Sequence, residues 1–228
     1  MVAFKAIEVP LAAVADLRAA ADPEGSPPLP KRFLRHADEQ SVVAVRAVQE
    51  AIADLDGTDC RSHGVIAAPC QAGRIGSSRT LSQYAEGGGV TVSTHIVPQA
   101  SLHALAAAVS VGLGMHGPSL GVGGGATALA EGLLTLTALA DAPGVEGWWL
   151  VATQLVGEPL LDANGTPEEA TSTSSVEAVA LLMASAAATP QWWLDPASLE
   201  ASDDRLAAQV RSCLMTADAA DGQRKEAA

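Results

Sequence analysis

Two side chains of this sequence stand where a nucleophile could act. Ser119 lies in Gly117-Pro118-Ser119-Leu120-Gly121, a literal G-x-S-x-G. In α/β-hydrolases that pattern holds a serine on a strained turn between strand and helix. Such an enzyme needs a histidine after the serine in chain order, but His36, His63, His95, His103 and His116 all precede Ser119. The residues ahead of Gly117 also read as helix, not as the apolar strand that an elbow requires. Cys70, in Ala68-Pro69-Cys70-Gln71, is the second candidate. A thiol reacts when a base, a cation or a helix N-terminus holds it as thiolate, and His63 and Arg74 are near in sequence. A half-buried structural cysteine is the commoner case.

A third pattern, Gly121-Val122-Gly123-Gly124-Gly125-Ala126, fits the G-x-G-x-x-A of a dinucleotide loop. Asp141 follows Gly121 at about the right interval, but it falls at a helix end and not at the end of a second strand. The histidines, with Cys60, Cys70 and Cys213, match no metal-ligand spacing. Neither a metal nor a cofactor is expected.

These candidates depend on the elements that would hold them. Val2 to Val9 reads as a short strand and Leu11 to Ala21 as a short helix. Residues 22–30, with four prolines and a glycine, form a connector. The clearest helix is 35–55: Val42, Val45, Val48, Ile52 and Leu55 recur at helical spacing. Arg35, Arg46 and Glu50 fall on its other side, and Asp38 and Glu39 in its first turn. Gly64 to Ala68 is an apolar run without alternation, as in a buried parallel strand. Gln71 to Glu86 is expected to be helical, with Ile75, Leu81 and Tyr84 as apolar positions. An extended piece, Val90 to Val97, follows, and Pro98 opens an alanine-rich helix to about Gly112. Ser119 to Gly123 is expected as a central strand, Gly125 to Leu139 as a helix and Trp148 to Thr153 as a strand. Val176 to Ala187 fits either strand or helix. A polar loop spans 162–173, and a last amphipathic helix runs from Pro196 to Leu214. Alternating strands and helices predict a three-layer α/β domain over residues 1–216, with a mixed, mostly parallel five-stranded sheet. Residues 217–228 read as a disordered tail.

Val92 to Gly132 carries no ionisable side chain besides histidines and Glu131, and reads as a buried core of small residues. Pro98, Pro118 and the glycines exclude a membrane span there. The net charge of −13 argues against nucleic acid, anionic membrane and direct docking of an acidic carrier protein. Aromatics are only 3% of the chain, and the Trp148-Trp149 and Trp192-Trp193 pairs are each expected to turn one ring to the core and one outward. Three cysteines give no disulfide framework, and the N-terminus shows no signal-peptide pattern, so the cytoplasm is expected.

Taken in order, several segments resemble the N-terminal half of a β-ketoacyl synthase of the thiolase superfamily. They are Lys31-Arg32-Phe33 with the 35–55 helix, Gly64 to Ala68 with the helix to Glu86, His95-Ile96-Val97-Pro98 with the alanine-rich helix, and Gly117-Pro118-Ser119. In that family the nucleophilic cysteine falls nine residues after the glycine that aligns with Gly117. Here that position is Ala126, which has no thiol. The family's condensation also uses residues of a C-terminal half that has no counterpart in this chain.

The resemblance therefore implies a non-catalytic chain length factor of polyketide, aryl-polyene or fatty-acid-like biosynthesis. Its partner would be an active β-ketoacyl synthase, in a heterodimer or heterotetramer. An acyl carrier protein would be reached only through that partner. The family's dimer pairs the strand before the cysteine position, so Gly117, Pro118, Ser119, Leu120, Gly121, Val122 and Gly123 are the expected interface. Leu81, Tyr84, Ile96 and Val97 are expected to line the acyl tunnel, with no catalytic residue. The alternatives are an acyltransferase or hydrolase using Cys70 or Ser119, and a stand-alone acyl-binding module.

Overall fold

The computed structural model describes residues 2–55, 57–94, 96–157, 174–184, 192–194 and 205–216. The 162–173 loop, His95, the start of the last helix at Pro196 and the tail from 217 lie outside them. The elements in chain order are β1 (Val2–Pro10), α1 (Val14–Ala19), α2 (Glu39–Ala53), β2 (His63–Pro69), α3 (Arg74–Gly87), α4 (Ile96–Gln99), α5 (His103–Gly112), β3 (Ser119–Gly121), α6 (Ala128–Leu139), β4 (Gly147–Val156), β5 (Ser175–Ala184), β6 (Trp192–Leu194), α7 (Leu206–Cys213) and β7 (Leu214–Thr216).

The main sheet runs β1-β5-β4-β2-β3. β2 pairs in parallel with β3 and β4, and β5 is antiparallel to both β4 and β1. Four strands thus point one way and β5 opposes them. Strands β2, β4 and β5 are buried along most of their length, as central strands covered on both faces should be. A small antiparallel pair, β6 with β7, forms a separate two-stranded sheet.

One buried cluster includes Val42, Val45, Val48, Leu105, Val109 and Trp149, drawn from α2, α5 and β4. The other includes Leu129, Leu133, Leu136, Trp148, Leu181 and Val210, drawn from α6, α7 and the opposite side of the same strands. The three layers follow directly. Trp148 and Trp149 are both fully buried, one in each cluster, because consecutive strand residues point to opposite faces of a sheet that is covered twice. The expectation of one outward ring does not hold for this pair.

α2 is the element around which one layer is built. Asp38 is its N-cap: Oδ1 accepts from the backbone N–H of Gln40 (2.9 Å) and Ser41 (3.1 Å). Arg46, read as lying opposite the apolar face, is nonetheless buried. Its guanidinium donates to Asp22 Oδ1 and Gln49 Oε1, both at 2.8 Å, and to the Ala20 carbonyl at 2.7 Å. Burial alone would raise Asp22. Hydrogen bonds from Gln49, Leu29 and Arg46 outweigh it and leave that carboxyl below its usual range. The 22–30 connector, with Ala20 just ahead of it, is thereby tied to the helix. Helical spacing could not distinguish this buried ion pair from a solvated face.

Two other expectations change, and one open reading is resolved. Gly89–Thr91 is a 3-10 turn and Ile96–Gln99 a helical turn, so the stretch from Val90 to Val97 is not extended. The alanine-rich helix starts at His103, not at Pro98. Residues 175–184 are a strand.

Candidate functional site: the β3 edge and the glycine loop

β3 is not a central strand. It is three residues long and, among the described strands, pairs with β2 alone and forms one edge of the sheet. Val65 N–H donates to the Pro118 carbonyl at 2.8 Å, and Val122 N–H to the Ala67 carbonyl at 2.8 Å. Residues 119–124 are only half-buried, and Gly125, Ala126 and Thr127 are exposed. The stretch that reads as the core is therefore, at its middle, a free boundary of the molecule.

Close packing explains its composition. A Cβ on Gly121 would collide with the backbone of Leu102 and His103, where α5 begins over the strand. Gly123 and Gly124 have φ of +80° and +111°, which L side chains rarely adopt. The loop they make carries the chain from β3 into α6, and Ala126 stands two residues ahead of that helix. Leu134 on α6 is 59% exposed, and Leu102, ahead of α5, is also exposed.

The nucleophile candidates fare differently. Ser119 is the first residue of β3 and not part of a strand-to-helix turn. Its hydroxyl oxygen is buried and meets no hydrogen-bond partner, so no described base reaches it. Cys70 lies at the carboxyl end of β2. Its N–H donates to the Thr153 carbonyl (2.7 Å), its carbonyl accepts from Gln40 Nε2 (3.0 Å), and a parallel bridge joins it to Gly124. Thr153 Oγ1 donates to Gln40 Oε1 at 2.6 Å, completing a polar contact under the glycine loop. Burial pushes the Cys70 thiol up, away from thiolate. His63 stands at the other end of β2, about 23 Å away along the strand. Arg74 donates to Gln71 Oε1 at 2.9 Å. Neither activates the sulfur as the sequence allowed. Sequence reasoning missed Gln40 and Thr153, since 113 residues separate them and no motif links them.

The G-x-G-x-x-A pattern does lie between a strand and a helix, but that strand is an edge, and Asp141 lies beyond α6 rather than after a second strand. Of the expected tunnel residues, Leu81 is 69% and Tyr84 58% exposed on α3. Ile96 lines a cleft beside α3. The side chain of Val97 lies outside the described residues. Among the described residues no group of three or more His, Cys, Asp and Glu could hold a metal ion, and no helix is long and apolar enough to cross a membrane.

No protein-family model matches the chain, and no curated protein is similar to it in sequence. Solved structures are similar in fold. The ishigamide ketosynthase/chain length factor superposes with a TM-score of 0.53 at 17% identity, over 85% of this chain and 65% of that one. The complex of the ketosynthase ApeO with its chain length factor ApeC, from Xenorhabdus doucetiae, matches with a TM-score of 0.52 at 17% identity, over 84% of this chain and 81% of that one. A type II polyketide ketosynthase assembly, AntDE with the acyl carrier protein AntF, matches with a TM-score of 0.54 at 15% identity, over 80% of this chain and 61% of that one.

The fold is that of the ketosynthases and their chain length factors. This chain spans less than two thirds of the ishigamide and AntDE chains that it matches. Against the matched chain of the Xenorhabdus complex the two shares are nearly equal, so the two chains are nearly equal in length.

Proposed function

We propose that the chain is a non-catalytic, ketosynthase-like subunit that pairs through the β3 edge with an active β-ketoacyl synthase and shapes its acyl tunnel, in the manner of a chain length factor. One observation carries the reading: among the described residues the sheet ends in a short, uncharged, glycine-rich strand paired on one side. An exposed edge strand is a template for a further strand, and depletion of charge is what the core of an interface shows. Ketosynthase-fold chains occur in complexes of ketosynthase with chain length factor, and one matched chain is of nearly this length.

In this reading Ala126 occupies the nucleophile's place ahead of α6 and supplies no thiol, so the partner performs the condensation. Residues 117–123 form the interface. Leu81, Tyr84, Ile96 and Val97 lie along the tunnel and stop chain growth by occupying space, since overfilling a packed site costs about 1–3 kcal/mol. A system of the polyketide or aryl-polyene kind, in the cytoplasm, is the setting.

The test is the native mass of tagged protein recovered from its own cells, with the co-purifying chains identified. A stable complex with a full-length ketosynthase is expected, and Tyr84→Ala in that complex should lengthen the product. A monomer or homodimer without such a partner would refute the reading.

A further inference from the structure

The chain has 13 Lys and Arg against 26 Asp and Glu, but its cations are unevenly spread. Two adjoining clefts, one bounded by the first turn of α2 with α3 and α4, the other by α1 and the 29–35 turn, share Arg18 and Arg35. Together they are lined by Arg18, Lys31, Arg32, Arg35, Arg46 and Arg79. The carboxylates facing them are Asp22, Asp38 and Glu39. Asp22 is held by Arg46 and Asp38 caps α2, so Glu39 alone of these three opposes the remaining cations. On a chain of net charge −13 this face is locally positive.

Arg18 adds a second, independent sign. Its Nη1 donates to the Arg35 carbonyl at 3.0 Å, while its Nε is buried and meets no acceptor. A buried donor without a partner is rare and calls for an acceptor. Arg35 and Arg79 line the same cleft, of about 340 Å³, with Thr80 and Ser93. Planar guanidinium groups in this number match the oxygens of a phosphate. A second groove of about 290 Å³ adjoins this cleft at His36, Ala37 and Asp38. Its other walls are almost wholly apolar: Phe33, Pro98, Ala104, Ala107, Ala108 and Val111.

We propose that the cleft between α2 and α3 and the groove beside α5 together bind a phosphate ester carrying an aliphatic chain, the phosphate on Arg18, Arg35 and Arg79 and the chain in the groove. A membrane surface is a poorer fit, because the acidic chain as a whole is repelled by anionic lipid. Ile96, placed along the tunnel in the reading above, lines the same cleft, but binding here needs no partner chain.

Calorimetric titration of the full chain with octyl phosphate, inorganic phosphate and octanol tests it. Octyl phosphate should bind saturably at one per chain, and the other two at least tenfold more weakly. Arg35→Ala with Arg79→Ala should weaken octyl phosphate at least tenfold with an unchanged circular dichroism spectrum. Val111→Asp should weaken octyl phosphate but not inorganic phosphate. No saturable binding, equal binding of octanol, no effect of the double substitution, or binding only to vesicles containing phosphatidic acid would each overturn the proposal. Complex formation with a ketosynthase is scored separately by native mass, so either idea can fail alone.

Discussion

The two edges of the sheet are built in opposite ways. β1 pairs with β5 over nine residues, from Val2 opposite Met183 to Pro10 opposite Ser175. It carries charge along its length. Lys5 reaches Glu50 at 3.1 Å and Asp54 at 3.5 Å, and Glu8 meets Arg205 at 2.5 Å. Charges and a terminal proline are the usual means of blunting a sheet edge. β3 has three residues, no charge and glycines on both sides. It is protected by shortness and by the start of α5 over Gly121, and by no charge. The contrast favours β3 over β1 as the edge for the proposed partner.

The largest expected effect is at β3. In Gly121→Val the new side chain meets the fixed backbone of Leu102 and His103 and not a side chain that can swing away. Overpacking of this kind costs about 3 kcal/mol, read as a lower urea midpoint, with loss of partner binding. The matching blow at the other edge is Arg205→Ala. Arg205 donates to Glu177 Oε1 at 2.9 Å, and that carboxylate is buried, with its other oxygen accepting from Gln154 and the Leu206 N–H. Arg205 itself is half exposed, so solvent screening leaves the loss well below the full cost of a broken buried pair and below that of Gly121→Val. Denaturation should report that loss with partner binding retained.

A third substitution separates folding from binding. Leu134 on α6 is largely exposed, so Leu134→Glu should leave stability within about 0.5 kcal/mol. If the edge region is the interface, affinity for the ketosynthase should fall at least tenfold, about 1.4 kcal/mol. Unchanged affinity would move the interface away from α6.

Which parts were legible in the sequence follows from the same contrast. β2 and α2 announce themselves: burial on both faces gives β2 an unbroken apolar run, and the valines of α2 keep helical spacing although the helix is buried on nearly every side. The order of elements through β4 could be read for that reason. β3 was legible as a strand but misplaced as central. Lack of charge signals burial without saying whether the covering surface comes from the same chain. Arg46 was misread for the converse reason: its partner Asp22 is 24 residues away, beyond any periodicity. The Gln40–Thr153 contact and the clustering of Arg18, Arg35 and Arg79 arise from tertiary folding alone. The motif strings, G-x-S-x-G above all, matched in letters but not in context, since Ser119 lies within the strand.

The smallest effect sharpens the comparison through pH. Hydrogen bonds from Arg205 and Ser175, against an opposing effect of burial, hold the Glu8 carboxyl below its ordinary value of 4.5. A group lowered in the folded state stabilises fully above its unfolded pKa and loses that contribution as pH falls through the folded value. Lys5 is raised from 10.5, first by its hydrogen bond to Glu50 against the cost of burial, and then by the Glu50 and Asp54 charges. Its contribution is complete below 10.5 and fades above. The β1 edge should therefore hold steady between these limits and loosen on either side, while β3, with no titrating group, should not respond. Amide-exchange protection factors at about pH 6 and pH 3 should fall for Lys5 to Val9 relative to Ser119 to Gly121. Equal loss at both edges would mean that acid acts on the whole fold and that the charges on β1 do not guard its edge.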